Sequence, residues 1–358
     1  MDSDHLSAES FIFKNLNPAI YIVVAFLLVY PLFASNYFIF QIAAYSLILG
    51  TIALSLMMLA GYGGMVSLAQ LSAAGLAGYL MAILGQNSSD VMGLGWPWWL
   101  AVIVAILSAA LFSTLVGAIA VRTEGIYTIM ITLAIAVAFF YFARQNYVLF
   151  NGFTGYAGIL PPTLFGINWR DPIPFYYLSL FVASGFFGAV LYSSRSTFGL
   201  SLQAIRDNPR RMRALGYNTS MHRIAAFFFS GVIAGTAGVL LVWFNTRISP
   251  GSIGVDVVID ILVIAVVGGM RHPIGPFLGA LAFVLLQNFA IDLIDRERFN
   301  TVIGTVFLLV VLFSPDGILG IWQALIRKLK LARQGNHSQS RQSVTGSSDA
   351  TSTDSTQA

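Results

Sequence analysis

Two acids one helical turn apart, Asp256 and Asp260, are the only charges between Gly251 and Met270. A carboxylate inside a membrane span costs roughly 2.5–3.5 kcal/mol on insertion scales, so it faces a partner, water or a passing solute. Asp256 falls near the end of its run, where hydration is cheap. Asp260 lies deeper and is the candidate for solute contact, with a structural pairing as the alternative. Little else has the makings of catalysis. Cys is absent, which removes disulfides, thiol chemistry and Cys-ligated metals. The four His (His5, His222, His272 and His337) form no HxxxH or HExxH pair, so no metal centre is expected. Ser, His and Asp show no nucleophile elbow. The three Lys (Lys14, Lys328 and Lys330) sit in no phosphate loop, so any ATP must be bound and hydrolysed on another chain.

Uncharged polar residues in apolar runs offer a gentler chemistry, hydrogen bonding to a small solute. In residues 61–80, GYGGMVSLAQLSAAGLAGYL, Ser67, Gln70, Ala74 and Gly78 fall on one helical face. Small residues let helices approach closely in lipid. The face is therefore either a tight seam with Gln70 bonded across it or the wall of a pathway. Thr128, Thr132 and Ala136 repeat every four residues and form a second stripe. Their hydroxyls serve either a solute or their own i−4 carbonyls.

Between Arg195 and Arg223 the chain carries six Arg and one acid, Asp207. Asn208 suits an N-cap, Pro209 the first helical position and Gly216 the position past the last turn. That punctuation predicts a short helix, PRRMRAL. Met212 and Leu215 form its apolar edge, with Arg210, Arg211 and Arg213 around the rest. Such an element is a docking helix or a plain topology signal.

The elements that must position these residues are membrane helices. Hydrophobic residues make up 57% of the 358, charged residues only 9%, and the mean hydropathy is +0.79, too apolar for a water-facing surface. The fold class expected is all-α and polytopic, with about 8–10 transmembrane helices. Hydrophobic segments fall at 18–34, 38–60, 63–85, 97–121, 126–143, 175–193, 223–245, 255–270, 274–294 and 300–314. With both termini in the cytosol, fourteen Lys and Arg fall inside and five outside, the bias expected of that orientation. The net charge of +4 then reflects loop bias, and no nucleic-acid partner is expected. Residues 1–17 form a cytosolic N-terminal segment whose Asp2, Asp4 and Glu9 are wrong for a secretory signal. The membrane domain runs over 18–314 and contains the cytosolic loop 194–222. Residues 315–358 form a cytosolic tail, disordered after about 335 by its Ser, Thr, Gln and Gly content. Outside lie a long loop, roughly 144–174, and the charged connection Asp292–Arg298. A GGM echo, Gly63–Met65 and Gly268–Met270, hints at an internal repeat with both copies on one side.

Four blocks together resemble the permease subunits of branched-chain amino-acid ABC importers: residues 61–84, RTEGIYTIMITLA at 122–134, FGLSLQAIRDNPRRMRALGYN at 198–218, and the run from Ser249 to Ala280. The pattern is more similar to the longer of that system's two permeases than to its shorter partner. The resemblance implies a bacterial inner-membrane importer for a branched-chain amino acid or a similar small polar solute, with urea and short amides as alternatives. It implies a second homologous permease, two cytosolic ATPases that carry the ATP, and an extracytoplasmic solute-binding protein. It makes Asn208–Gly216 the coupling helix on the ATPase. Gln70, Ala69, Arg271 and His272 depart from the family pattern, which leaves the solute open. An ion-coupled carrier is the rival reading from another class, and Asp260 suits it.

Overall fold

A computed structural model of the chain describes residues 25–87, 93–123, 125–164, 166–293, 304, 305, 308 and 317. The expectations for 1–17, for the span at 300–314, for nearly all of the tail and for Asp295–Arg298 lie outside these residues. Six segments are long and apolar enough to cross a membrane. They are α1 (Phe38–Tyr62), α3 (Trp98–Ala120), α4 (Ile126–Gln145), α5 (Pro172–Arg195), α8 (Thr219–Asn245) and Pro250–Gly268. The last is a 3-10 turn, Pro250–Ile253, leading into α9 (Val255–Gly268). Two shorter apolar helices, α2 (Gln70–Leu84) and α10 (Gly275–Leu293), complete the bundle among the described residues. Segment 18–34 is described from residue 25, helical to Val29 and then a 3-10 turn, Tyr30–Leu32, whose neighbours Leu27 and Leu28 accept the Tyr176 and Tyr177 hydroxyls.

Small residues decide how the helices meet. On α3, Ala101, Ala105 and Ala109 point inward one turn apart, while Ile103, Leu107, Leu111, Leu115 and Ile119 stand exposed on the other side. Large apolar groups outward and small ones inward is the arrangement lipid favours. Against that alanine stripe lies α8. A Cβ on Gly231 would stand 2.6 Å from the Ser113 Cβ, and one on Gly235 2.7 Å from that of Ala109. One turn on, Gly238 abuts the Ala74 carbonyl of α2. Gly78 of α2 packs on Val242 and Ile248 with the same closeness. For Ala74, Gly75 and Gly78 the expected tight seam is therefore what the chain builds.

One expected span differs from the sequence reading. Segment 63–85 becomes helical only at Gln70, and residues 64–69 leave the helix altogether. α1 ends in a π-wound turn, Met58–Tyr62, and Gly64 takes φ +67°, a backbone state open to glycine. The second GGM ends α9 without a π-wound turn but again with its second glycine at positive φ, Gly269 at +106°. The two breaks meet, since a Cβ on Gly61 would run into the Met270 carbonyl.

Both breaks lie at the end of the bundle that carries the arginine-rich loop. At the opposite end, the loop expected at 144–174 is a built structure. β1 (Tyr156–Ala157) pairs antiparallel with β4 (Arg247–Ile248), and β2 (Thr163–Leu164) with β3 (Ile167–Asn168). The Asn151 amide donates to the Gly155 carbonyl at 2.8 Å, and the Tyr156 hydroxyl to that of Leu149 at 2.9 Å.

Candidate functional site

The arginine-rich loop folds as two short helices. α6 (Thr197–Asp207) opens on Ser196, whose hydroxyl accepts the Gly199 N–H, and it buries Leu202 and Ile205 on one side. α7 (Pro209–Ala214) follows at once, because Asn208 both ends α6 and caps α7. The Asn208 carboxamide oxygen accepts the Arg211 N–H at 3.0 Å, and Pro209 holds the first helical position. At the other end Gly216 takes φ +87°. The Gly216 N–H donates to the Arg213 carbonyl at 3.0 Å, and the Tyr217 N–H to that of Met212 at 3.1 Å. These paired bonds are the Schellman stop that glycine at this position permits.

The expected apolar edge is corrected in one respect. Met212 is buried against the chain itself, whereas Leu215 is 67% exposed. The outward surface joins Leu215 with Tyr217 and Met221, and with Arg210, Arg211 and Arg213, all exposed. Tyr217 and Met221 escaped the sequence reading because they follow the glycine stop, outside the helical period.

The polar residues singled out in the spans divide into three groups. Ser67, within the first break, and Gln70, at the start of α2, are buried side by side, and Gln70 Nε2 donates to Ser67 Oγ at 3.5 Å and to Ser113 Oγ of α3 at 3.4 Å. The Ser113 hydroxyl in turn donates a hydrogen bond to the Phe227 carbonyl of α8 at 2.8 Å. Gln70 Oε1 has no hydrogen-bond partner among the described residues. Thr132 joins this group from α4, its hydroxyl accepting the Leu68 N–H of the unwound segment at 3.1 Å. Thr132 also donates back to the Thr128 carbonyl at 3.0 Å, so it serves its own helix and the break together. Thr128 lies one turn away and donates to the Thr123 carbonyl. Asp260 stands apart on α9, half-buried and within electrostatic reach of Tyr45. Ser113 was missed by the sequence reading, since one Ser among alanines reads as packing.

Beside the second break, partial desolvation and the positive charge of Arg195 hold the His272 imidazole below its usual range, although the residue stays exposed at the surface. Its Nδ1 accepts the Ile274 N–H at 3.3 Å, which suits the neutral ring. A cavity of about 10 Å³, room for one water, lies between α2 and α8 near the opposite end, lined by Gly75, Gly238, Arg247 and Ser252 among others.

The described residues thus form a bundle with two glycine breaks and a capped, arginine-bearing helix at one end. The family described as branched-chain amino acid transport system / permease component matches residues 38–312. The chain belongs to that family. The match covers more than three quarters of the chain and decides against the ion-coupled carrier. Among relatives, the high-affinity branched-chain amino acid transport system permease protein LivM of Escherichia coli is 24% identical, over 79% of this chain and 68% of its own length. The probable branched-chain amino acid transport permease protein LivH of Methanocaldococcus jannaschii is 31% identical, over 40% of this chain and 47% of its own. The nucleoside ABC transporter permease protein NupC of Lactococcus lactis is 28% identical, over 64% of this chain and 74% of its own. No solved structure matches the chain. As a branched-chain amino acid permease it is a multi-pass membrane protein of the longer, LivM-like kind.

Proposed function

We propose that this permease works in a bacterial inner-membrane ABC importer that brings a branched-chain amino acid, or a similar small polar solute, into the cell. The arginine-rich end faces the cytosol, where two ATPase subunits bind and hydrolyse ATP. The opposite end, with its paired loops, receives a loaded solute-binding protein, and a second homologous permease completes the pathway. The observation that carries this reading is α7: capped at both ends, held by buried Met212, and presenting exposed Leu215 among three arginines. A rigid apolar knob ringed by cations suits a groove with acidic walls. ATP-driven closure of the ATPase pair would push α7 and tilt the spans about the two helix breaks. Ser67, Gln70, Thr128, Thr132 and Asp260 are the residues proposed to meet the solute on its way. The unpartnered Gln70 Oε1 supports the Gln70 assignment best, because it is a buried acceptor awaiting a donor.

Leu215→Asp tests the docking. Leu215 is exposed in this chain, so the variant folds, but its carboxylate would enter the groove unpaired at a cost of several kcal/mol. At tenfold per roughly 1.4 kcal/mol, ATPase retention should fall by about two orders of magnitude or more. Co-purification of the ATPases at the wild-type level would make the loop a topology signal and nothing more.

A further inference from the structure

Arg206, in the last turn of α6, reaches out of the arginine-rich loop into the body of the bundle. Its Nη1 donates to the carbonyl of Gly61, in the π-wound end of α1. A helix end leaves carbonyls without partners in its own ladder, and this guanidinium takes one of them. Its aliphatic stem covers Gly64, where a Cβ would stand 2.5 Å from Arg206 Cγ. Asp207 steadies the guanidinium from the other side, Oδ1 lying 2.9 Å from both Nε and Nη2. One turn earlier, Leu202 is buried beside Gly63, in one apolar cluster with Leu59, Met65 and Ala69.

The connections on either side of Arg206 are stiff. Ser196 ends α5 and caps α6, and Asn208 ends α6 and caps α7, so no free linker separates the three helices. The Gln203 amide fixes the first joint by donating to the Ser194 carbonyl at 2.9 Å. The breaks, by contrast, lack a continuous helical ladder, so fewer backbone hydrogen bonds oppose a bend there. The first break contains Ser67 and runs directly into Gln70, and the Gly61 end of α1 touches the second break through the Met270 carbonyl.

We infer that Arg206 is the positioning residue that carries a displacement of α7 to the two helix breaks, and through the first to Ser67 and Gln70. The inference rests on the function proposed above. It separates engagement of the ATPase, which belongs to Leu215 and its neighbours, from transmission, which belongs to Arg206.

The test uses the complete importer in proteoliposomes: this chain, the second permease, both ATPases and the binding protein loaded with leucine. Uptake and ATP hydrolysis are measured in the same vesicles. Arg206→Ala should leave hydrolysis within about twofold of wild type while uptake falls about tenfold or more, the scale of an ordinary coupling between sites. Arg206→Lys, which keeps a donor for the Gly61 carbonyl, should recover a large part of the uptake-to-hydrolysis ratio. A ratio unchanged in Arg206→Ala overturns the inference, and so does a Lys variant no better than Ala. If wild-type vesicles import nothing on ATP, the proposed function fails, and the link is then judged by cross-linking in native membranes. Cys placed at Gly63 and Leu202, in a chain with no other Cys, should be joined by a short bifunctional thiol reagent, and Arg206→Ala should abolish the product. Equal cross-linking in both backgrounds would by itself overturn the role given to Arg206.

Discussion

Replacing Thr132 by Val removes one hydroxyl and almost no volume, and it isolates what holds the unwound segment 64–69 in place. Thr132 is fully buried, and its hydroxyl is the acceptor for the Leu68 N–H at 3.1 Å. With Val that N–H stays buried and unpaired, which costs about 1–3 kcal/mol. The hydroxyl's own donation to the Thr128 carbonyl matters less, because that carbonyl keeps its helical partner. At tenfold per roughly 1.4 kcal/mol, the population in which the segment lifts off α4 should rise about 5- to 150-fold. Hydrogen exchange of the peptide spanning 64–69, in lipid nanodiscs, reads this directly as faster exchange by that factor. Thr132→Ser keeps the acceptor and should stay near wild type. Exchange in Thr132→Val within twofold of wild type, or a Ser variant as labile as the Val one, would refute the reasoning.

Gly238→Val pushes side-chain carbons into the Ala74 carbonyl, where backbone has no room to yield, so its melting temperature should drop by several degrees; Gly185→Val, facing open space, should melt like wild type, and equal melting of both would contradict the seam. Gln70→Leu should cut uptake while leaving solute capture by the binding protein unchanged, and wild-type uptake in well-expressed membranes would reduce Gln70 to a packing residue. Single Cys at Ser220 and Thr154, both exposed and at opposite ends, should be labelled only from the cytosol and only from outside, respectively. The reverse pattern at either site would overturn the proposed orientation.

Local chemistry was the part of the site most legible in the sequence. Asn208, Pro209 and Gly216 act within a few residues of themselves, so their cap, first-turn and stop positions could be read from spacing alone, and the Schellman bonds follow. Met212 was misplaced because a helical face has two sides, and only the packing of α7 on the bundle decides which one is buried. Helix α6 is written in the chain too, in Ser196 as cap and in Leu202 and Ile205 one turn apart, but its signal is local and weaker than the charge run beside it. The break at 64–69 was hidden for a different reason. Hydropathy summed over a span is blind to where the ladder stops, and this stop is held by distant groups, Thr132 on α4 and Arg206 on α6. The Gly75 and Gly78 seam could be anticipated as close packing, yet its partners, Ile253 and Val242, emerge only from the tertiary fold. Asp260 shows the limit of reasoning from cost: depth and charge marked it, but it does not join the Ser67, Gln70 and Thr132 group.

ATP-driven uptake by the reconstituted complex is the most direct measure of the account. Proteoliposomes holding both permeases and both ATPases, with ATP on the side of the arginine-rich loop and leucine-loaded binding protein on the other, should accumulate leucine. They should stop when either ATP or the binding protein is left out. Accumulation driven by an ion gradient in vesicles that hold this permease without the ATPases would contradict the importer.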